Sequence, residues 1–206
     1  VRGYALGAVV NGVAADCGTG PFCATFLIFS DYMRPPIRLA ALMGLHVIYV
    51  FTHDSIALGE DGSTHQPVEQ LAGLRSVPRL MVIRPCDANE TAVAWRVALE
   101  TRDRPVTLIL TRQQVPTLDR TRFASADNLR RGAYVLADAP NGKPELILIA
   151  TGSEVGLIVA AAQNLLDDNG PAGSSSVPIV WLPDGPPTEY REPASAPHRP
   201  TSTPRR

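Results

Sequence analysis

Three short runs of branched apolar residues, "HVIYVFT" (46–52), "RLMVIRP" (79–85) and "PVTLILTR" (105–112), are separated by segments with helical spacing. This alternation constrains the fold more than any other feature. Parallel strands buried on both faces read as near-continuous apolar runs, and they need helical crossovers between them. The expectation is an α/β fold, a mostly parallel sheet with helices on both faces. Between the second and third runs, Asp87 is placed to cap a helix with Glu90 reaching back. Ala88, Ala92, Trp95 and Leu99 then fall on one face, with Trp95 read as core. Earlier, "SDYMRPPIRLAALMG" reads as a helix with its prolines in the first turn and Gly44 at its end.

A second α/β unit is expected after the polar stretch 113–131. There "AYVLADA", "ELILIATG", "SEVGLIVAAAQNLLDDNG" and "VPIVWLP" predict strand, strand, a helix with Ser153 as its N-cap, and strand. From 184 the text is dense in proline and almost free of aliphatic side chains. Such a stretch cannot bury enough apolar surface to offset its ordering entropy, and a disordered tail over 184–206 is expected.

Composition narrows the partners. The 206 residues are 45% hydrophobic and 19% charged, an ordinary globular balance. The net charge of -1 offers no concentrated basic excess, which argues against nucleic acid and anionic membranes. No apolar run reaches the roughly 18–20 residues of a membrane span. Cys17, Cys23 and Cys86 are odd in number and lack CxxC spacing, so neither a disulfide framework nor a zinc site is indicated and a cytoplasmic location is expected.

Open parallel sheets bind ligands beyond the carboxyl ends of their strands. The polar stretch "THDSIALGEDGSTHQPVEQ" begins at such an end. Taken alone, His53, Asp54, Glu60, Asp61 and His65 admit several readings: a solvated connection turning at Asp61-Gly62, an acid/base or hydroxyl-binding set, or metal ligands. Their spacing fits neither HExxH nor the twelve-residue calcium loop, so proton transfer or hydroxyl binding is favoured over a metal cage. Arg112, on the same rim, offers a planar fork for a phosphate, or else a structural ion pair at the sheet edge.

The whole stretch "THDSIALGEDGSTHQPVEQLAGLRSVP" closely resembles the "THDSIGxGEDGPTHQPxE" signature of transketolases. The similarity extends in family order through "TFLIFSDYMRPPIRLAALMG", "RPCDANETAVAWRVALE", "LILTRQ", "GAYVLAD" and "LILIATGSEV". The resemblance implies the thiamine diphosphate-binding fold, with a pyrimidine-binding domain over 1–118, a linker over 119–129 and a partial C-terminal domain over 130–183. It implies transfer of a two-carbon ketol unit between sugar phosphates, with thiamine diphosphate and Mg2+ at a dimer interface. It also implies a partner, either a second copy or a complete transketolase chain. Phe26, Phe29 and Tyr32 match the aromatic positions packed around the cofactor's pyrimidine. His53 and Asp61 match substrate-facing residues, His65 matches the second signature His near the reactive centre, and Arg112 matches the Arg that binds the sugar phosphate. No metal ligand is assigned, because the family holds the diphosphate and metal in another domain with a GDG...N motif that this sequence does not contain.

The sequence also departs from the family. Where the family writes "VREHAMG", this chain has "VRGYALG", which puts Gly3 at the Glu that activates the cofactor's pyrimidine. Losing that charge-assisted hydrogen bond would cost several kcal/mol of barrier, at about 1.36 kcal/mol per decade of rate. Ala57 replaces a signature Gly and Ser63 a signature Pro, both tolerable in a loop. The expectation is a fragment carrying the pyrimidine half of a transketolase site with no turnover by itself. The alternatives are a subunit of a split transketolase and a noncatalytic dimerisation module.

Overall fold

Four strands, β1 (Phe22–Phe26), β2 (Ile48–Thr52), β3 (Met81–Ile83) and β4 (Val106–Ile109), pair in parallel in the order β1-β2-β4-β3. The computed structural model describes residues 2–139, 142, 144 and 146–169. Alternate residues of a strand point to opposite faces, and the central strand β2 divides accordingly. Tyr49 and Phe51 enter one core, with Val10 of α1 (Arg2–Cys17), Ile37 and Ala40 of α2 (Arg34–Met43) and Leu74 of α3 (Gln70–Arg75). Ile48 and Val50 enter the other, with Val93, Ala94 and Ala98 of α4 (Ala88–Glu100) and Leu129 of the 3-10 helix Ala126–Arg131. The α/β fold with helices on both faces is thus present. At roughly 1.5–3 kcal/mol for each large apolar side chain buried, this two-sided burial is the main stabilising term. A polar pin crosses the first core: Tyr49 Oη donates to Asn11 Oδ1 at 2.6 Å, and Asn11 Nδ2 donates to Pro36 O at 2.7 Å.

The local signals act as read in two places. Prolines stand in the first turn of α2, where backbone N–H groups have no helical partner, and Gly44 ends the helix at φ 67°. Residues 27–32 ahead of α2 form a separate 3-10 helix. Asp87 Oδ1 accepts from Glu90 N at 2.8 Å, and Glu90 Oε2 accepts from Cys86 N at 2.9 Å, so the N-terminus of α4 is capped reciprocally. These carboxylates do more than cap. Asp87 Oδ2 accepts from Leu118 N at 3.0 Å and Arg120 Nη2 at 2.9 Å, while Tyr134 Oη donates to Glu90 Oε1 at 2.5 Å. A third, smaller core of Cys86, Leu118, Tyr134, Leu136 and Val155 forms around this network beneath α5 (Glu154–Asn169).

Several expectations are corrected. The face of α4 turned to the sheet carries Glu90, Val93, Ala94 and Ala98, whereas Ala88, Ala92 and Leu99 are exposed. The inward cap carboxylates set the rotation of the helix, and the buried stripe follows from Glu90. Trp95 is half-buried on the flank of that core, edge-on to Phe22 at 5.8 Å. No strand forms among the described residues of "AYVLADA" and "ELILIATG". Tyr134 and Leu136 instead plug the third core from irregular backbone, and Leu146, Ile147 and Ile149 are exposed, with no strand pairing to them among the described residues. An apolar run becomes a strand only where a partner edge meets its N–H and C=O groups. Ser153 directly precedes α5, its hydroxyl donating to Glu154 Oε1 at 3.1 Å. The expected strand "VPIVWLP" and the tail over 184–206 lie outside the described residues. Two elements went unread in the sequence: α1, interrupted by glycines, and β1, whose Cys-Ala-Thr centre lacks the branched aliphatics of the other strands. Among the described residues no helix is long and apolar enough to cross a membrane.

Two predictions follow from this packing. Burial raises the pKa of Cys23 to about 11 and pushes Cys86, Tyr49 and Tyr134 well above their ordinary values. Above about pH 9 the unfolded chain releases protons that the native state keeps, so stability is full below that pH and falls as pH rises. The urea midpoint should drop between pH 9 and 11 by the equivalent of roughly 1 kcal/mol or more, and a flat profile would contradict this. Asp87→Ala leaves Arg120 and two backbone N–H groups short of their acceptor. It should destabilise the chain by about 3–5 kcal/mol in urea unfolding, more than the roughly 0.5–2 kcal/mol of a simple cap.

Candidate functional site

Phe26 ends β1 and the chain turns at once into the 3-10 helix Leu27–Tyr32. Three residues per turn bring positions i and i+3 into line, so Phe26, Phe29 and Tyr32 form a row. Phe26 and Phe29 have centroids 6.1 Å apart with planes at 18°, and Phe29 and Tyr32 are 6.2 Å apart at 29°. Leu27 and Ser30, between them in sequence, are buried, while Tyr32 is 57% exposed. The row therefore shows one aromatic side outward. Gln70 ties the neighbouring loop to it, donating from Nε2 to Asp31 Oδ2 at 2.8 Å and accepting from Val68 N at 2.9 Å.

Strand β2 delivers His53 to the same rim with φ 63°, a left-handed conformation that costs a non-glycine residue about 1–2 kcal/mol. Such strain persists only where the surroundings fix it. The imidazole stacks on Phe26 with centroids 3.8 Å apart, and its Nδ1 is 2.8 Å from Thr52 Oγ1. His65, carried by the turn in which its N–H donates to Gly62 O, sets its ring edge-on to Phe26 at 5.7 Å and Phe29 at 5.5 Å. Its Nδ1 is 2.9 Å from Thr64 Oγ1. Five residues singled out in the sequence, Phe26, Phe29, Tyr32, His53 and His65, thus stand together.

The other two form a second cluster on the loop. Arg112 Nη2 donates to Glu60 Oε1 at 2.7 Å, and its Nε lies 2.8 Å from Asp61 Oδ2. The fork suited to a phosphate is thus engaged by two carboxylates, and any phosphate must displace at least Glu60, whose side chain is largely exposed. Leu58, buried to 1% exposure, anchors the loop, and Gln113 Nε2 donates to Ser55 Oγ at 3.0 Å to fasten its start. Asp54 leaves the set of candidate acids and bases, for it is buried and its Oδ2 accepts from Arg84 Nε at 2.7 Å. Arg84 was missed in the sequence, although an Arg directly after the apolar run of a parallel strand lies on the rim where sites and their supports collect.

A flat aromatic side flanked by two imidazoles fits a planar heteroaromatic ring such as an aminopyrimidine. Gly3 stands against it: a Cβ there would lie 3.1 Å from Tyr32 Cβ and 3.7 Å from Phe29 O, so a side chain at this position would start beside the row. No group of three or more His, Cys, Asp or Glu that could hold a metal ion occurs among the described residues. The residues present fit the ring part of the implied cofactor.

Comparison with known proteins gives a consistent result. Residues 1–117 match the family profile "Transketolase, pyrimidine binding domain", and residues 132–200 match "Transketolase-like TK C-terminal domain". The chain is 55% identical over 192 residues to a transketolase of Geobacillus stearothermophilus, covering 93% of this chain and 29% of that protein. Among solved structures it is similar to a Pichia stipitis transketolase in complex with sedoheptulose 7-phosphate, with TM-score 0.79, 41% identity and coverage of 88% of this chain and 26% of that one. It is also similar to a split-gene transketolase described as an inactive beta4 tetramer, with TM-score 0.69, 25% identity and coverage of 88% and 55%. The chain spans less than a third of the length of the curated relatives it matches.

Because Arg112 is substantially exposed, Arg112→Ala should cost less than about 1 kcal/mol in thermal unfolding. A larger loss would show that the Arg112 pair with Glu60 and Asp61 is structural.

Proposed function

The chain belongs to the transketolase family, and from that premise we propose that it forms the pyrimidine half of a thiamine diphosphate site for two-carbon ketol transfer between sugar phosphates. The observation that carries this reading is the row Tyr32, Phe29, Phe26 with His53 and His65 set against it. Thiamine diphosphate would supply the carbanion chemistry that no side chain offers. The chain's own residues bind, orient and exclude water. The aromatic row takes the ring and keeps it dry. The Nδ1 atoms of His53 and His65 are engaged by Thr52 and Thr64, which leaves each Nε2 to exchange a proton with a substrate oxygen. Asp61 accepts from a sugar hydroxyl, and Arg112 takes the sugar phosphate once Glu60 gives way.

The diphosphate and Mg2+ fall in this reading to another domain, as the family resemblance implies. Gly3 supplies no carboxylate beside the aromatic row. In this reading the chain is inactive by itself and works against a second copy or a complete transketolase chain, in the cytoplasm. Exposed Tyr4, Val9, Leu39, Leu42 and Met43 on α1 and α2 give that partner an apolar face to cover. A second reading, one subunit of a split transketolase, is favoured by the likeness to the split-gene chain. Adjacent DNA carrying an open frame for a diphosphate-binding domain would support it.

In an assay with xylulose 5-phosphate, ribose 5-phosphate, thiamine diphosphate and magnesium, the purified chain should form no product, and robust turnover would sink the proposed incompleteness. In the same samples thiamine diphosphate should shift the NMR signals of His53 and His65. Unchanged signals at saturating cofactor would remove the ring-binding reading.

A further inference from the structure

Arg84 leaves the end of β3 and is buried between two segments far apart in sequence. On one side its Nε donates to Asp54 Oδ2 at 2.7 Å. On the other, its Nη1 donates to Thr151 O at 3.0 Å and Thr151 Oγ1 at 2.9 Å, and pairs with Glu154 Oε2 at 2.5 Å. The turn before α5 is shaped to this guanidinium. Gly152 N donates to Arg84 O at 3.2 Å, and Gly152 has φ 60°. A Cβ at Gly152 would lie 2.7 Å from Arg84 Nε and 2.8 Å from Cζ, so only glycine lets the turn close this tightly. The other Asp54 oxygen, Oδ1, is buried without a hydrogen-bond partner. The carboxylate therefore hangs on Arg84.

Asp54 directly follows His53, the residue held in a left-handed conformation with its ring on Phe26. Phe26 and Thr52 fix the imidazole from the ring side, but they do not fix the backbone that follows it. That task falls to the anchored Asp54. We infer that Arg84 is a positioning residue for His53: gripped by Thr151 and Glu154, it holds Asp54 so that the His53 ring is set against Phe26. The segment before α5 thereby reaches the site without touching it. This inference takes its functional meaning from the proposal above, but its geometry does not depend on any cofactor.

The test uses the full chain with isotope-labelled histidine. A ring stacked on Phe26 has its proton signals displaced upfield. His53→Gln assigns the His53 signals, and Phe26→Leu should abolish the displacement. Asp54→Asn, and separately Glu154→Ala with Thr151→Val, should each lose at least half of it. His46, at the opposite end of β2 beside Ala98 O, should keep its shift. The Glu154/Thr151 variant alters the outer side of the grip and serves where Arg84→Gln or Asp54→Asn does not fold. Unchanged His53 signals in a folded variant would overturn the inference, and so would equal movement of His46 and His53, which would mark a general structural role. Failure of the wild-type chain to respond to thiamine diphosphate would count against the cofactor reading and leave this result standing.

Discussion

Parallel pairing on both sides of β2 is the constraint on which the site depends. Phe22–Phe26 and Ile48–Thr52 run in register, and Val106–Ile109 runs beside Ile48–Phe51. All four strands therefore end at one rim, where Phe26, His53, Arg84 and Arg112 emerge within a residue or a few of a strand's last position. An antiparallel neighbour would have sent its terminal residue to the opposite edge. Register is fixed by the two-sided burial of β2, since a slip of one residue would exchange Tyr49 and Phe51 for Ile48 and Val50 between two differently shaped cores.

Two arginines on this rim each meet two carboxylates, with different consequences. Arg112 pairs with Glu60 and Asp61 where water competes for all three groups, so the arrangement can be exchanged for another anion. Arg84 pairs with Asp54 and Glu154 where its own side chain is shielded, and removal of either partner leaves a charge with poor solvation. The same ion chemistry thus serves exchange at one point of the rim and fixation at another. Burial decides which.

Much of this was legible in the residues. The strands at 48–52, 81–83 and 106–109 are written as branched apolar runs, and the cap at Asp87 and the stop at Gly44 as local chemistry. Both histidines stood out in the polar stretch after the second strand, while the aromatic row was picked out only through the family signature. Less legible was whatever depends on partners distant in sequence. The face of α4 was assigned from apolar spacing, yet the buried carboxylates of Asp87 and Glu90, drawn inward by Arg120 and Tyr134, decide its rotation. The run 146–152 has strand composition but joins no sheet edge among the described residues. Arg84 looked like an ordinary charge until Thr151 and Glu154, nearly 70 residues later, closed on it. The pairing of Arg112 with Glu60 could not be told from a free phosphate fork by spacing alone.

The start of α2 shows how the core and the aromatic row share one joint. Pro35 and Pro36 lie in the first turn and have no backbone N–H to satisfy, so the helix begins with no side-chain cap. The cap position is then free of the usual demand for Ser, Thr, Asp or Asn, and Met33 fills it, fully buried. One residue after Tyr32, the chain is thus moored by a buried apolar side chain and by backbone bonds, Met33 N–H donating to Ser30 O at 2.9 Å, with no side-chain cap. Tyr32 itself faces water, but the residue that follows it is fixed in the core, so the end of the row takes its stiffness from the interior of the protein.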